Sequence, residues 1–270
     1  MLRVTTIVAP AALPMDVNEA REHVNQDLTV DDAKLDSFIR AARDFAEGEC
    51  NRTIIATRYR ATLDGFPRVI CLQRGPVLRV RSVQYLDMAG AWQTVATTVY
   101  AVDLTGPVPC ITEAWGQTWP SDVMPQIGCV RVEFDAGEAA AITAVAATDV
   151  LTIKGGVWSA LAVDDVVRLS NSGGVLPAPL EEDTDYYLQA VPSATTFKLS
   201  ATQGGDAIDI TDAGTGTHYI GLVPDGLKAW LKLRIGSMYE LSADVEYGSA
   251  DFKTLPYADA MLDRYRVEFA

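Results

Sequence analysis

Histidine is scarce in this chain of 270 residues, which contains only His23 and His218. A metal site built from several histidines is therefore excluded. The sequence also lacks the phosphate-binding loop GxxxxGK(S/T), the nucleophile elbow GxSxG and the zinc-protease motif HExxH. No activating partner is visible beside either histidine, so each is interpreted as an ordinary polar residue, with a catalytic role as the minor alternative. The sequence predicts no enzyme, no catalytic residue, no cofactor and no metal.

Cysteine is also sparse, and the chain has no CxxC pair. Neither a zinc site nor a thioredoxin-like site is therefore predicted. The flanks of Cys71 and Cys129 are apolar, which favours free buried thiols in a reducing cytoplasm. No apolar run is long enough to span a bilayer, and residues 1–13 make a poor signal peptide. These absences predict a soluble protein with no membrane partner.

Basic residues are outnumbered, with 22 Lys and Arg against 36 Asp and Glu and a formal net charge of −14. A general nucleic-acid binder needs a basic face for phosphates, so that class is excluded. The charge is uneven, because residues 16–50 are acidic, residues 51–90 are rich in arginine and residues 138–222 are again acidic. An acidic face followed by an arginine-rich one suits a chain that packs against copies of itself. Two unrelated solvated faces explain the same pattern equally well.

Hydrophobic periodicity predicts an α+β fold, in which N- and C-terminal helices pack with an antiparallel β region. Asp16 with Glu19 begins a short helix that runs to about Val24, and a second helix is predicted over residues 31–48. Thr29 with Asp32 is the capping signature of the second helix. From 51 to 137 the period changes to two, which is typical of strands with one wet face. Helical spacing returns after Pro224 and after Pro256.

The composition changes at about Glu138, where the chain becomes rich in Gly, Thr, Ala and Asp. Turn clusters separate short strand candidates at 150–153, 166–170, 185–191, 196–200, 207–211 and 217–221. Short strands at close, regular spacing predict a small all-β sandwich or barrel. We therefore predict two domains, one of residues 1–137 and 223–270 and an inserted β module of residues 138–222. The rest of the chain is expected to fold without the module.

Two further features have an ordinary explanation and a functional alternative. The acidic cluster over residues 181–185 is interpreted as a solvated charge run, with calcium binding as the alternative, since it lacks EF-hand spacing. Trp115 and Trp119 flank a turn before Pro120, which is more often a packed corner than a platform for sugars.

Several stretches of the sequence resemble those of a known protein family. The stretch from Asn18 to Val24, Asp31 with Asp32, and residues 39–42 resemble the two N-terminal helices of the head–tail connector (adaptor) proteins of tailed bacteriophages. Further stretches that look like this family lie at 45–52, 62–67, 76–87, 100–103, 119–120, 130–134, 223–239 and 256–266. Their order and spacing, rather than one motif, carry the resemblance. It covers about residues 15–137 and 223–270, and residues 138–222 depart from it.

The resemblance implies a non-enzymatic structural protein of the virion neck, made in the host cytoplasm, that forms a ring beneath the portal, usually of twelve copies. Such a ring extends the DNA channel for packaging and ejection and joins head to tail. Its expected partners are other copies of itself, the portal protein, a downstream neck or tail-completion protein, and passing double-stranded DNA without specific binding. The acidic balance suits a channel, because a negative wall repels phosphates. A β-rich ligand- or carbohydrate-binding virion module is the alternative, and a hydrolase ranks last.

Two surfaces are predicted. The subunit interface pairs the acidic outer face of the second helix with the arginine run of a neighbouring copy, through Asp36, Asp44, Glu47, Arg52, Arg58 and Arg60. The resemblance implies that the C-terminal segment docks on the portal, through Tyr257, Met261, Leu262, Arg264, Tyr265, Arg266 and Phe269. The alternative is that this segment folds back onto the subunit's own core. Deleting 264–270 is expected to spare folding and abolish attachment.

Overall fold

The computed structural model describes residues 2–25, 31–106, 108–240 and 256–268. The helices in those ranges are α1 (Val17–His23), α2 (Asp32–Cys50), α3 (Asp225–Glu240) and α4 (Pro256–Asp263). The strands are β1 (Arg3–Val8), β2 (Thr57–Leu63), β3 (Val69–Cys71), β4 (Val77–Leu86), β5 (Trp92–Thr94), β6 (Tyr100–Asp103), β7 (Cys110–Glu113), β8 (Val130–Ala136), β9 (Ala139–Val145), β10 (Val150–Ile153), β11 (Val166–Ser172), β12 (Asp185–Ser193), β13 (Thr196–Ser200) and β14 (Thr217–Gly221). Helices together with antiparallel sheets confirm the α+β class. None of the helices in the described ranges has the length and apolar character that a membrane crossing requires.

Helix α1 begins where the sequence predicts, since the Asp16 side chain accepts a hydrogen bond from the Asn18 amide at 2.9 Å. The capping signature of the second helix includes Thr29, which lies outside the described residues. Helix α2 passes the predicted stop and ends at Asn51, whose backbone is left-handed. One stripe of α2 is buried against α3, where Trp230 stacks on Phe45 with ring centroids 5.6 Å apart. The helical core therefore joins segments from both ends of the chain.

Strands from the region that follows α2 join the N-terminal strand β1 in a five-stranded antiparallel sheet, in the order β1-β2-β8-β4-β5, within the ranges the structure describes. Along β2 the odd-numbered residues are buried, and the even-numbered ones, which include Arg58 and Arg60, lie on the other face. A smaller sheet, β3-β7-β6, packs beside it. Strand β1 is not in the sequence prediction. Strand β1 is an edge strand that pairs with β2, and little of it is buried. Its residues therefore need no alternation of apolar and polar side chains, and residues 3–8 show little.

Strands of the 138–222 block close into a barrel, in the order β10-β13-β12-β11-β14-β9. Strand β9 was not predicted from the sequence. Its alanines have low β propensity, and its apolar residues follow neither the helical period nor the alternation of a strand. The candidate strand 207–211 is not a strand. It runs as an irregular segment whose Ile208 amide donates to Leu199 O at 2.8 Å and whose Ile210 is buried.

The barrel shares packing with the helices. Ala139 and Tyr219 belong to the helical core, and the Tyr219 hydroxyl donates to Leu13 O at 2.7 Å. At the other side of the contact, the Asp16 amide donates to Ser172 Oγ and the Thr217 hydroxyl donates to Asp16 Oδ2, both at 2.7 Å. The barrel is thus bonded and packed against the N-terminal part of the chain, although the division into two domains stays a prediction.

Candidate assembly surfaces

Five arginines on the three central strands of the large sheet share one face, which we call the arginine face: Arg58, Arg60, Arg79, Arg81 and Arg131. They come from β2, β4 and β8, which are adjacent in the sheet. Among the described side chains of this face, the balancing carboxylates are those of Glu133 and Asp135 on β8. The arginine face therefore carries surplus positive charge in a chain that is acidic as a whole.

Asp135 is the centre of the arginine face and is fully buried. Its carboxylate accepts from Arg58 Nε at 2.7 Å, from Arg79 Nε at 3.0 Å and from Arg81 Nε at 2.7 Å. Irregularities in the register of β4 allow both of its arginines to reach this one group. Burial lowers the pKa of Arg81 despite the attraction of Asp135, yet an arginine stays charged in a protein. Three cations thus share one anion.

The cover over Asp135 comes from the barrel. Gly156, in the 3-10 turn Lys154–Gly156 that follows β10, accepts from Arg58 Nη2 at 3.1 Å and from Arg81 Nη2 at 3.3 Å. The sequence analysis missed Asp135, although the alternation along β8 places it on the polar face. Its burial was not predictable, because the covering residues are remote in sequence.

The predicted interface arginines all have partners inside the chain. Arg52 Nε donates to Glu138 at 2.9 Å, Arg58 pairs with Asp135, and Arg60 Nη2 lies 2.6 Å from Glu133 Oε1. These guanidiniums form ion pairs that stabilise the subunit itself. Their use against a neighbouring copy stays a prediction.

The predicted acidic residues of α2 also have local partners. Asp36 pairs with Arg40 and Asp44 with Arg43, each at 2.7 Å. Glu47 faces inward, and its carboxylate accepts from the Ile54 amide at 2.8 Å. Burial raises the pKa of Glu47, and the Ile54 amide partly offsets that rise. Glu47 fixes the turn after α2, and in the predicted acidic set Asp44 is exposed and Asp36 is partly exposed.

The C-terminal segment returns to α2. Leu262 is buried in the helical core, and Val267 is buried beyond it. The Val267 amide donates to Cys50 O at 3.0 Å, and Asn51 Nδ2 donates to Val267 O at 3.0 Å. Arg266 pairs with Glu49 at 2.8 Å. The folded-back arrangement, which the sequence analysis gave as an alternative, describes the segment through Val267.

Of the side chains that the sequence predicts for portal docking, some are not accessible on the folded subunit. Leu262 is inaccessible because it fills the subunit's own core. Met261 and Tyr265 are partly buried against the same core, whereas Arg264 and Arg266 are exposed. Two predicted positions, Tyr257 and Phe269, lie outside the described side chains.

Trp119 and Trp115 divide between a packed corner and an exposed surface. Trp119 stacks on Phe66 with centroids 4.6 Å apart and lies 6.3 Å from Tyr100. Trp115, in contrast, is fully exposed at the tip of the same loop. The sequence analysis predicted the corner and missed the exposure, which no feature of the surrounding residues indicates.

Neither histidine belongs to a catalytic arrangement in the described residues, and His218 has a structural role. Asn171 Nδ2 donates to Thr215 O at 2.8 Å and lies 2.8 Å from His218 Nδ1. His218 Nδ1 must therefore accept, and Nε2–H donates to Ala213 O at 2.9 Å.

The acidic cluster over residues 181–185 is dispersed, because Glu182 accepts from the Asn171 amide at 2.6 Å while Asp185 pairs with Arg168. Within the described ranges, no three His, Cys, Asp or Glu side chains converge on a metal position.

A pH dependence follows from this network. Burial lowers the pKa of His218 below its ordinary 6.5, and a proton on Nδ1 would confront the Asn171 amide donor. The unfolded chain therefore binds the proton more tightly, so the stabilisation is complete above about pH 6.5 and is lost as the pH falls below it. We expect the melting temperature to fall more between about pH 7.5 and 5.5 in the wild type than in H218Q. Parallel curves for the two proteins would contradict this role.

No protein-family model and no curated protein matches the chain. Its fold is similar to solved structures. One is a chain from the neck of an empty gene transfer agent particle computed with C6 symmetry, with TM-score 0.51 and 21% identity over 100% of this chain and 97% of that chain. A chain from the virion of the native particle has TM-score 0.54 and 19% identity over 99% and 96%. A chain from the native neck computed with C12 symmetry has TM-score 0.52 and 21% identity over 100% and 97%. This chain has the fold of those neck and virion chains.

The likeness extends over the whole chain, including residues 138–222. The sequence resemblance leaves that block out, whereas the structural alignments span it. At about one residue in five identical, the comparison rests on topology, and single motifs contribute little to it.

Proposed function

We propose that the protein is a structural component of a phage-type virion neck, where it forms a ring beneath the portal that extends the DNA channel and joins head to tail. The observation that carries this proposal is the full-length likeness to neck chains, one of them in a neck computed with C12 symmetry. Twelve copies, the portal protein and a downstream neck or tail-completion protein are the proposed assembly.

The chemistry of the chain supports a structural role. Its most buried charged groups are used to hold elements together, as Asp135 does for three arginines. Glu19 does the same at the junction of helices and barrel, where it accepts from Lys232 at 2.8 Å and Lys228 at 3.0 Å. Burial opposes ionisation of Glu19, but its hydrogen bonds outweigh burial and lower its pKa. Glu19 therefore acts as a fixed negative charge rather than as a group that exchanges protons.

The charge supports passage of DNA without binding. A formal net charge of −14 repels phosphates, and within the arginine face Arg58 and Arg81 are bonded to Asp135 and to Gly156 of the barrel. DNA can then move along the channel without being held by phosphate contacts.

The function is tested by removing the protein from the particles that carry it. In a strain lacking the gene, we expect filled or fillable heads that bear a portal and no tail, with tails restored by the gene in trans. Cryo-electron microscopy of the restored particles is expected to place a ring of this fold between portal and tail. Complete necks in the deletion strain would refute the proposal.

We propose that the arginine face contributes to the contact between neighbouring copies. Reversing Arg58 would destabilise the subunit, because its partner Asp135 is buried, so Arg60 and Glu133 offer a cleaner test. The swap R60E/E133R keeps an ion pair 2.6 Å long in the wild type and inverts its direction on the surface. We expect a melting temperature within about 3 °C of wild type and at least about a tenfold loss of tailed particles. Normal tail counts would contradict the interface.

We propose that the extreme C-terminus, with Arg264, docks on the portal. Deleting 268–270 leaves the Val267 contacts in place, so we expect unchanged thermal unfolding and loss of head attachment. Deleting 264–270 also removes the buried Val267 side chain and the Arg266–Glu49 pair, and should cost about 2–3 kcal/mol of unfolding free energy. Calorimetry and a tail-joining assay of both truncations separate the roles. Attachment that survives the shorter deletion would overturn the docking assignment.

A further inference from the structure

Two cysteines lie directly opposite each other in the small sheet. Cys71 ends β3 and Cys110 begins β7, and the antiparallel register pairs them as partners. The next residue, Leu72, donates its amide hydrogen to Pro109 O at 2.8 Å. In an antiparallel ladder, that bond flanks Cys71 and Cys110, so they form a non-hydrogen-bonded pair.

The spacing of such a pair suits a disulfide. Opposite residues at non-hydrogen-bonded positions have Cα atoms about 4.5 Å apart, within the range of about 4.4–6.8 Å that a disulfide spans. Both side chains also project from the same side of the sheet. Their neighbours Ile70 and Ile111 are buried in the core on the opposite side, whereas Cys71 is exposed and Cys110 is partly exposed.

We propose that Cys71 and Cys110 are a modification site, at which a disulfide forms when the folded protein meets an oxidising medium. With oxidised glutathione as the oxidant, the exposed Cys71 thiolate attacks one sulfur and expels one glutathione thiolate. The Cys110 thiolate then attacks Cys71 Sγ in the mixed disulfide and expels the second glutathione. Two thiol protons are released, and two electrons pass from the protein to the glutathione disulfide.

The surroundings of the pair assign an order to the two attacks. Cys110 is flanked on its other side by Asp103 of β6. Burial, Asp103 and Cys71 together raise the pKa of Cys110, which favours the thiol form. The exposed Cys71 is therefore the first to react, and ring closure by Cys110 becomes faster as the pH rises.

The bond would join β3 to β7, which are adjacent in the sheet but separated in sequence by β4, β5 and β6. It would therefore close a long loop of the unfolded chain. A protein made in a reducing cytoplasm would carry two thiols, and the same protein outside the cell would carry the bond. This inference goes beyond the proposed function and does not need it.

The test treats the folded full-length protein with oxidised glutathione at about pH 8, then blocks free thiols and maps peptides by mass spectrometry. Before the blocking step, we expect the mass of the protein to be lower by two hydrogen atoms. Peptide mapping should then give a linked peptide that joins Cys71 to Cys110, with Cys50 and Cys129 recovered as blocked free thiols. The melting temperature should rise by about 5–10 °C and return on reduction.

Matched variants complete the design. C71S and C110S should each lose the linked peptide and the thermal shift, and C50A/C129A should keep both. Four free thiols, stable glutathione adducts at Cys71 without closure, or links between other cysteines in the wild type would each overturn the proposal.

Discussion

Replacing Asp135 with asparagine is expected to lower the unfolding free energy by about 3–5 kcal/mol, the largest loss we foresee for one substitution. The variant keeps the shape of the side chain and removes the charge that Arg58, Arg79 and Arg81 share. Three cations with partly buried side chains would then face each other without an anion. Denaturant unfolding measures the loss, which corresponds to a drop of about 10 °C in melting temperature for a chain of this size.

The matched control is E133Q on the same strand and the same face. Glu133 has one arginine partner, and both members of that pair are partly exposed, so the loss should be about 1 kcal/mol or less. Equal losses in D135N and E133Q would show that burial and sharing at Asp135 add nothing.

Replacing 138–222 with a short Gly/Ser linker is expected to abolish cooperative folding, which reverses the expectation from sequence. The reason lies in the shared packing, since Ala139 and Tyr219 are part of the helical core. Asp16 also loses its hydrogen bonds to Ser172 and Thr217. We expect insoluble protein, or soluble protein without a thermal transition in calorimetry.

The control for the linker variant changes the barrel without removing it. Gln203 and Asp206 are exposed beside a turn of the barrel, and replacing both with Ser while Gly204 and Gly205 are kept should leave solubility and melting unchanged within about 2 °C. A linker variant that melts as cooperatively as this control would establish 138–222 as a separable module.

The elements that could be predicted from sequence are those whose pattern is complete within the element. Helix α2 shows its buried stripe through Leu35, Ile39, Ala42 and Ala46, and β2 shows its alternation. Strand β9 was missed, because its run of alanines is buried on both sides and has no period. Strand β1 was missed for the opposite reason, since most of it is exposed.

The candidate surfaces were less predictable, because they depend on contacts between distant residues. Arginine content indicated a basic face, but the partner of Arg58 lies 77 positions away and its backbone acceptor Gly156 lies 98 positions away. The same holds for Leu262 and Val267, whose aromatic and basic neighbours suggested a free docking segment. Only their return to Cys50 and Asn51 in space reveals that the subunit uses them itself.

The joining of α2 and α3 has a consequence for synthesis on the ribosome. The apolar stripe of α2 packs against Trp230 and Leu231. These two residues are made about 180 residues after the end of α2, or roughly 9–36 s later at the usual elongation rate. During that interval α2 is exposed on the nascent chain, while the large sheet can close as soon as β8 is made. The helical layer therefore forms last, and the apolar stripe of α2 stays exposed to other apolar surfaces until α3 is made.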